Sequence, residues 1–258
     1  MVRRILYLII FIYAGVFAFS ANAQNRSFKV VLDAGHGGKD PGTLGVVNRS
    51  HREKDIVLAI TLEVGRLLQA NHPEIKVVYT RSTDVFVELG RRADIANKAK
   101  ADLFISIHVN SLPKGSTQYA YGVQTYTLSL KTADENLAVE KLENAVIALE
   151  GEAAKKYNYN SSPENDIMFE LMQDNDMKQS VVFAKLAQKE MVQTARRKNK
   201  GVLQANLAVL RLTYMPSVLL EVGFLSTPDE EAFLMSADGR RLIARSIYNA
   251  IVTYVKNH

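Results

Sequence analysis

Two histidines of this sequence stand where metal ligands could stand. His36 lies in a glycine-rich segment, residues 34–42, directly after a short apolar run, and His108 ends a second apolar run. Such runs are typical of buried strands, and ligands bind at the carboxyl ends of strands in open α/β sheets. Two imidazoles and a carboxylate around an open position form a common catalytic zinc site. Spacing alone leaves the third ligand open among Glu53, His51, Asp40 and Glu221.

Simpler interpretations compete with this one. A single histidine is more often structural, so the interpretation depends on the pair at two strand ends. The glycine-rich segment could instead cradle a phosphate, but it lacks the lysine and hydroxyl placement of a P-loop. The chain contains no cysteine, which excludes thiolate metal sites, disulfides and a cysteine nucleophile. Glu221 lies in the apolar run 217–222 and needs a partner, a metal or a raised pKa to be tolerated there.

The elements that must position these residues alternate between strand and helix. We expect strands at 28–33, 75–80, 103–108, 122–127, 207–210 and 217–222, and helices at 53–70, 88–100, 228–235 and 240–255. This order predicts an α/β fold, a single domain with a largely parallel twisted sheet flanked by helices. Residues 129–195, which are rich in polar side chains, break the rhythm and predict a helical insertion.

The amino terminus is expected to be a separate segment. Arg3 and Arg4 precede an apolar run at 5–19 and an Ala-x-Ala site at 21–23, which predicts a signal peptide over 1–23 and a catalytic domain over 24–258. A signal peptide implies export, so we expect the protein in the periplasm or the extracellular space. The alternative is that residues 1–23 form an uncleaved membrane anchor.

Composition excludes whole classes of protein. The chain has 258 residues, 47% of them hydrophobic and 23% charged, which excludes a disordered or fibrous protein. Its net charge of +5 falls to +3 without residues 1–23, because only two arginines are lost. So small a surplus favours acidic partners weakly, and we expect no nucleic-acid partner.

Four segments carry a family resemblance. They are VVLDAGHGGKDPG at 30–42, EKD at 53–55, SIHVNS at 106–111 and LEVGFLS at 220–226. In this order they resemble the zinc-dependent N-acetylmuramoyl-L-alanine amidases of the Amidase_3 family, which cleave bacterial peptidoglycan. The segment 201–211 also resembles the family, and the match covers nearly all of residues 28–256.

The resemblance implies the roles of individual residues. His36, Glu53 and His108 would hold one zinc ion per chain, and His51 would be a neighbour. Glu221 would take a proton from the attacking water and deliver it to the leaving amine of L-alanine. The implied reaction is hydrolysis of the amide bond between N-acetylmuramic acid and L-alanine, as in cell-wall remodelling and cell separation.

Other assignments stay open at this point. Asp33, Asp40 and Asn110 are candidates for orienting the ligands or contacting substrate, although each could instead cap a turn. A different zinc peptidase or deacetylase could use the same residues. A non-catalytic cell-wall-binding protein is the alternative from another class, and it would be expected to lack a ligand or Glu221.

The insertion suggests regulation. In the family this region can carry a helix that covers the active site until a partner displaces it. We expect a long helix at 131–153, from which Glu143 or Glu150 could occupy the open zinc position. The alternative is a solvated helical hairpin packed beside the sheet. The expected partners are peptidoglycan and, if the helix inhibits, an activator protein of the cell envelope; we expect a monomer.

Overall fold

The computed structural model describes residues 27–113, 115–116, 119–129, 136–157 and 163–257. The signal peptide expected at 1–23 lies outside these residues. Among the described residues, no helix has both the length and the apolar character that crossing a bilayer requires.

One sheet of six strands organises the domain. The strands are β1 (Lys29–Ala34), β2 (Lys76–Tyr79), β3 (Leu103–Asn110), β4 (Val123–Leu128), β5 (Asn199–Ala205) and β6 (Ser217–Phe224). Their order across the sheet is β2-β1-β3-β6-β4-β5. Among these strands four of the five pairings are parallel, and the pair of β4 with β6 is antiparallel. The expected α/β fold with a largely parallel sheet is confirmed.

Helices cover both faces of the sheet. They are α1 (Glu53–Asn71), α2 (Leu89–Ala99), α3 (Leu137–Asn144), α4 (Pro163–Gln193), α5 (Ala208–Arg211), α6 (Pro228–Met235) and α7 (Ala237–Lys256). Helices α1, α4 and α7 pack on one face, where Ile105 and Ile107 point, while α2, α3 and α5 share the other face with Phe104. Every residue of β3 and β6 is buried, which explains their nearly uninterrupted apolar sequences.

The topology collects chain ends at one edge of the sheet. Strands β1, β3 and β6 are parallel, so their carboxyl ends meet there. Strand β4 runs antiparallel to β6, so β4 and its parallel neighbour β5 begin at that same edge. His108 and Glu221 are register partners on β3 and β6. Residues that are distant in sequence therefore converge at this edge.

The predictions of two elements are wrong. The strand expected at 207–210 is the short helix α5, and the fifth strand lies earlier, at Asn199–Ala205. A four-residue apolar run fits a buried helix as well as a strand, so periodicity could not separate them. The long helix expected at 131–153 is interrupted over its described residues. After α3 come two 3₁₀ segments, Ala145–Leu149 and Gly151–Tyr157. Gly151 adopts a left-handed φ of 58°, which separates the second segment from the first.

Over its described residues the segment expected to be an insertion is largely helical, and part of it belongs to the core. Phe183, Ala184, Ala187 and Met191 of α4 are fully buried against the sheet and α7. The second half of α4 is therefore an integral layer of the domain. The bounds of the insertion, 129–195, stay a prediction.

Candidate metal centre

Four buried side chains converge at the edge of the sheet. His36, Glu53, His108 and Glu143 each offer one ligand atom, and these atoms lie within 4.8 Å of one another. They come from the loop after β1, the start of α1, the end of β3 and the end of α3. The structure thus brings together His36, Glu53 and His108, which the family resemblance singled out, and adds Glu143.

His36 is held by its backbone and by Asp40. Its φ of 58° is a left-handed conformation that non-glycine residues seldom adopt, and such strain is typical of functional sites. Its Nδ1 lies 2.7 Å from Oδ2 of Asp40, so Nε2 is directed at the cluster. That Nε2 lies 3.1 Å from Oε1 of Glu53. Asp40 therefore fixes the orientation of the ring.

Glu53 is fixed by two backbone donors. As the first residue of α1 it is fully buried, and its Oε2 accepts a hydrogen bond from the Thr43 amide at 2.8 Å. Its Oε1 accepts one from the Val109 amide, also at 2.8 Å, and lies 3.2 Å from Nδ1 of His108. Both carboxylate oxygens are thus oriented before any ion binds.

His108 owes its position to a glycine. A Cβ at Gly35 would lie 2.4 Å from two atoms of the His108 ring, so only glycine allows this approach. The rings of His36 and His108 lie 4.8 Å apart between centroids and are inclined by 73°. The glycine-rich segment therefore supplies one ligand and makes room for another.

Glu221 lies beside the cluster without a hydrogen bond. It is fully buried, and neither carboxylate oxygen has a partner among the described residues. Burial, together with the negative charge of Glu143, raises the pKa of Glu221 well above its ordinary value. Burial would also raise the pKa of Glu53, but His36 and His108 reverse this and lower it. Two carboxylates in one site thus differ in their affinity for a proton.

The cluster is short of positive charge. Nε2 of His36, Nδ1 of His108 and both oxygens of Glu143 lack hydrogen-bond partners among the described residues, although all are buried. Burial alone would lower the pKa of His36, but the nearby carboxylates raise it to about 10. The carboxylates around these nitrogens thus give the site a negative charge that a cation would balance.

Two other expected site residues lie further back. Asp33 accepts hydrogen bonds from Thr80, Ser106 and Arg92 at 2.5–2.7 Å, which satisfy both of its oxygens. Burial would raise the pKa of Asp33, but the Arg92 guanidinium and these bonds lower it. Asn110 donates from Nδ2 to the Gln124 side chain at 3.0 Å, which ties β3 to β4. The side chains of Asp33 and Asn110 thus bond to residues outside the four-residue cluster.

His51 and Glu150 also have partners elsewhere. Nδ1 of His51 lies 2.7 Å from Oε1 of Glu231, away from the cluster. Glu150 accepts a hydrogen bond from the Leu89 amide at 2.7 Å and so caps the start of α2. Of the two glutamates expected to block the site, the structure brings only Glu143 into the cluster.

Two buried arginines that position the glycine-rich segment escaped the sequence analysis. Arg81 donates to the carbonyls of Ala34 and Gly35 at 2.9 and 2.7 Å, and Arg92 donates to those of Ala34 and His36, both at 2.6 Å. The available signal was Arg92 itself, a charged residue on the apolar side of a predicted helix.

Two consecutive glutamates of α6 hold the loops beside the cluster. Glu231 accepts hydrogen bonds from the Val47 and Asn48 amides at 2.7 and 3.0 Å, and so holds the loop that leads to α1. Glu230 accepts from the Gly122 amide at 3.2 Å, at the start of β4. Nothing in their local sequence distinguishes them from first-turn glutamates that stabilise the helix dipole.

Comparison with known proteins places this geometry in context. The family model for N-acetylmuramoyl-L-alanine amidases matches residues 30–253, which include every residue of the cluster. The N-acetylmuramoyl-L-alanine amidase AmiA of Escherichia coli is 34% identical over 227 residues, which are 87% of this chain and 75% of AmiA.

Solved structures agree with this match. The catalytic domain of CwlV, an N-acetylmuramoyl-L-alanine amidase from Bacillus (Paenibacillus) polymyxa var. colistinus, is 32% identical with a TM-score of 0.66, covering 89% of this chain and 98% of that one. The CwlD amidase from Clostridioides difficile, solved in complex with the GerS lipoprotein, is 26% identical with a TM-score of 0.66, covering 90% of this chain and all of that one.

Proposed function

Given that this chain belongs to the N-acetylmuramoyl-L-alanine amidase family, and is thus a peptidoglycan amidase, we propose that its activity depends on one Zn²⁺ held by His36, Glu53 and His108. The bond cleaved is the amide between N-acetylmuramic acid and L-alanine. The observation that carries the zinc proposal is the convergence of these ligand atoms in a buried site that favours a cation.

The donor set fits zinc. Two imidazole nitrogens and a carboxylate oxygen are ligands that Zn²⁺ accepts, and three protein ligands leave a position for catalysis. Nε2 of His36 and Nδ1 of His108 are buried atoms that lack hydrogen-bond partners among the described residues, as expected for nitrogens that bind a metal. When bound, the ion would polarise the scissile carbonyl and lower the pKa of the attacking water.

Glu221 would carry out the proton transfers of the reaction. It is the register partner of His108 across β3 and β6, so it lies beside a ligand at the same edge of the sheet. Both of its oxygens lack a hydrogen-bond partner among the described residues and can accept a proton. Glu221 would take the proton from the attacking water and deliver it to the nitrogen of L-alanine as the amide bond breaks.

Replacing Glu221 by glutamine tests this role. Glu221→Gln removes the proton acceptor but keeps the size of the side chain, so hydrolysis should fall by at least about a hundredfold while zinc stays bound. Zinc content by elemental analysis and release of the L-alanine amine from a muropeptide are the two measurements. Normal hydrolysis with zinc bound would show that another residue moves the proton.

Glu143 supports a second part of the proposal, that α3 and the segment after it inhibit the enzyme. Oε2 of Glu143 lies 2.7 Å from Nδ1 of His108 and 3.6 Å from Nε2 of His36. A carboxylate at this point would fill the position that catalysis needs. It would also bring a third carboxylate beside Glu53 and Glu221, a repulsion that zinc would relieve.

Contacts along the covering segment oppose its departure. Val139 and Val146 are buried in the core on this face of the sheet. Hydrogen bonds of 2.6–2.9 Å join the segment to the body through Lys39–Leu149, Glu140–Asn206, Asn144–Asn206, Asn144–Ala208 and Glu150–Leu89. Opening therefore needs an energy source, such as a binding partner.

A partner in the cell envelope would supply that energy. The CwlD amidase has been solved in complex with the GerS lipoprotein, so an amidase of the same fold does bind another protein. An activator that binds the open form better would shift the population toward it. Adding a purified activator should raise wild-type activity and leave an already open variant unchanged.

Peptidoglycan lies outside the cytoplasm, so the enzyme must reach it there. We propose that residues 1–23 direct export to the periplasm or the extracellular space and are then removed. Mass spectrometry of the secreted protein tests this, because cleavage after Ala23 would leave a chain that starts at Gln24.

A further inference from the structure

Two exposed tyrosines just before β4, at the edge of the sheet where the cluster lies, are unused by this mechanism. We propose that Tyr119 and Tyr121, the tyrosine ledge, stack against sugar rings of the glycan strand and so bind polymeric peptidoglycan. This inference rests on the proposed function, because it takes peptidoglycan as the substrate.

The ledge is apolar surface that faces solvent. Tyr119 is 58% exposed and Tyr121 is 43% exposed, and their ring centroids lie 6.1 Å apart. Their neighbourhood also carries positive charge, since Nζ of Lys198 lies 4.4 Å above the ring of Tyr121. The face of an aromatic ring is electron-rich and attracts the C–H groups of a pyranose. A lysine and two hydroxyls can meet the sugar hydroxyls and acetamido carbonyls at the margins.

The ledge is mounted rigidly. Oη of Tyr119 donates to Asp229 at 2.5 Å, and the carbonyl of Ala120 accepts from Oγ1 of Thr227 at 2.5 Å. The following residue, Gly122, has a φ of 110°, and a Cβ there would lie 2.4 Å from the Lys198 carbonyl. The Tyr119 ring and the backbone of the ledge are thus held in place before substrate arrives, which lowers the entropy lost on binding.

The tyrosine ledge lies where it could bind a polymer whose amide bond is hydrolysed beside Glu221. Gln124 is the register partner of Glu221, and Tyr121 precedes Gln124 by three residues. At about 3.3 Å per residue this places the backbone of Tyr121 within roughly 10 Å of that of Gln124. Gln124 lies about 5 Å from Glu221, across one strand spacing. A glycan strand whose N-acetylmuramic acid lies at the cluster could therefore place a neighbouring sugar on the ledge.

The test compares the double variant Tyr119→Ala/Tyr121→Ala with Tyr214→Ala. Tyr214 is 63% exposed but precedes β6, so it lies at the opposite edge of the sheet. The probe is a soluble oligomer of N-acetylglucosamine, which has sugar rings but no peptide. Binding is followed by titration calorimetry and by intrinsic fluorescence, which comes from tyrosine because the chain has no tryptophan.

The wild type and Tyr214→Ala should bind the oligomer equally, and the double variant should bind about tenfold more weakly, since each stacked ring contributes a few-fold. On insoluble peptidoglycan, kcat/KM of the double variant should also fall about tenfold further than on an N-acetylmuramoyl-peptide monomer. Equal falls on the two substrates would overturn the proposal, as would undiminished oligomer binding by the double variant. The proposal would also be overturned if the double variant lost binding of a stem peptide that carries no sugar.

Failure of the proposed function would look different. In that case the monomer would not be hydrolysed by any of the three proteins, while oligomer binding and its dependence on the ledge would persist. Binding measured in Glu221→Gln protein separates the two, because it does not require turnover.

Discussion

Glu143→Ala should activate the enzyme if α3 and its following segment inhibit it. The substitution removes the carboxylate that lies 2.7 Å from Nδ1 of His108 and leaves the other contacts of the segment in place. In the zinc-loaded protein this carboxylate would face the ion that His108 holds, and a contact between a carboxylate and a charged group is worth about 1.5–3 kcal/mol. The ratio of open to closed forms should therefore rise by roughly 10- to 150-fold, since about 1.4 kcal/mol corresponds to a factor of ten.

One opposing interaction places the expected gain at the lower end of this range. The negative charge of Glu143 raises the pKa of Glu221, so the two carboxylates repel one another in the closed form. Removing Glu143 also removes this repulsion, which partly offsets the loss of the contact with His108. We therefore expect a gain of about 10- to 30-fold while the closed form still dominates.

The assay is release of soluble fragments from dye-labelled peptidoglycan by zinc-loaded protein, with products identified by chromatography. Glu152→Ala is the matched control, because Glu152 is an exposed glutamate of the same segment. Wild-type activity in Glu143→Ala protein that still binds zinc would refute the inhibitory role, and so would an equal gain in Glu152→Ala.

Four further outcomes are expected. Gly35→Ala should abolish zinc binding without unfolding the sheet, since a Cβ there would lie 2.4 Å from the His108 ring; chelator competition measures this, and normal affinity would contradict it. Asp40→Asn should weaken zinc binding by about 10- to 100-fold in the same assay, because it disturbs the 2.7 Å contact that orients the His36 ring. Arg92→Met should destabilise the fold by about 3–5 kcal/mol in urea unfolding, because Asp33 would keep a buried charge without its cation. The pKa of Asp33 is lowered in the folded state, so its contribution is present above its ordinary pKa and is lost as pH falls through the folded value. Asp33→Asn should therefore make unfolding less sensitive to acid below about pH 4, and an unchanged acid dependence would contradict this.

Local patterns in the sequence were enough to identify the elements that carry the site. The apolar runs of β1, β3 and β6 predicted buried strands because both faces of the sheet are covered, and the glycine-rich segment predicted the sharp turn that carries His36. The segment around α5 was assigned wrongly, because four apolar residues carry no usable periodicity.

The ligand set needed more than spacing. His36, Glu53 and His108 are separated by 17 and 55 positions, so the residues alone left four candidates for the third ligand. The family resemblance chose Glu53. The structure gives a physical reason for that choice, since the Thr43 and Val109 amides hold the Glu53 carboxylate with its Oε1 beside both histidines, whereas His51 is directed toward Glu231.

The sequence by itself determined the fold class, the motif residues and the family, because each depends on local pattern or on motifs in a fixed order. Only the tertiary structure decided that Glu143 rather than Glu150 reaches the histidines, and that Arg92 supports the glycine-rich segment. These contacts join residues that are 35 to 61 positions apart, and they depend on how α2 and α3 pack against the sheet edge. A side chain's partner across such a distance is set by packing and hydrogen bonding in three dimensions, which no local pattern records.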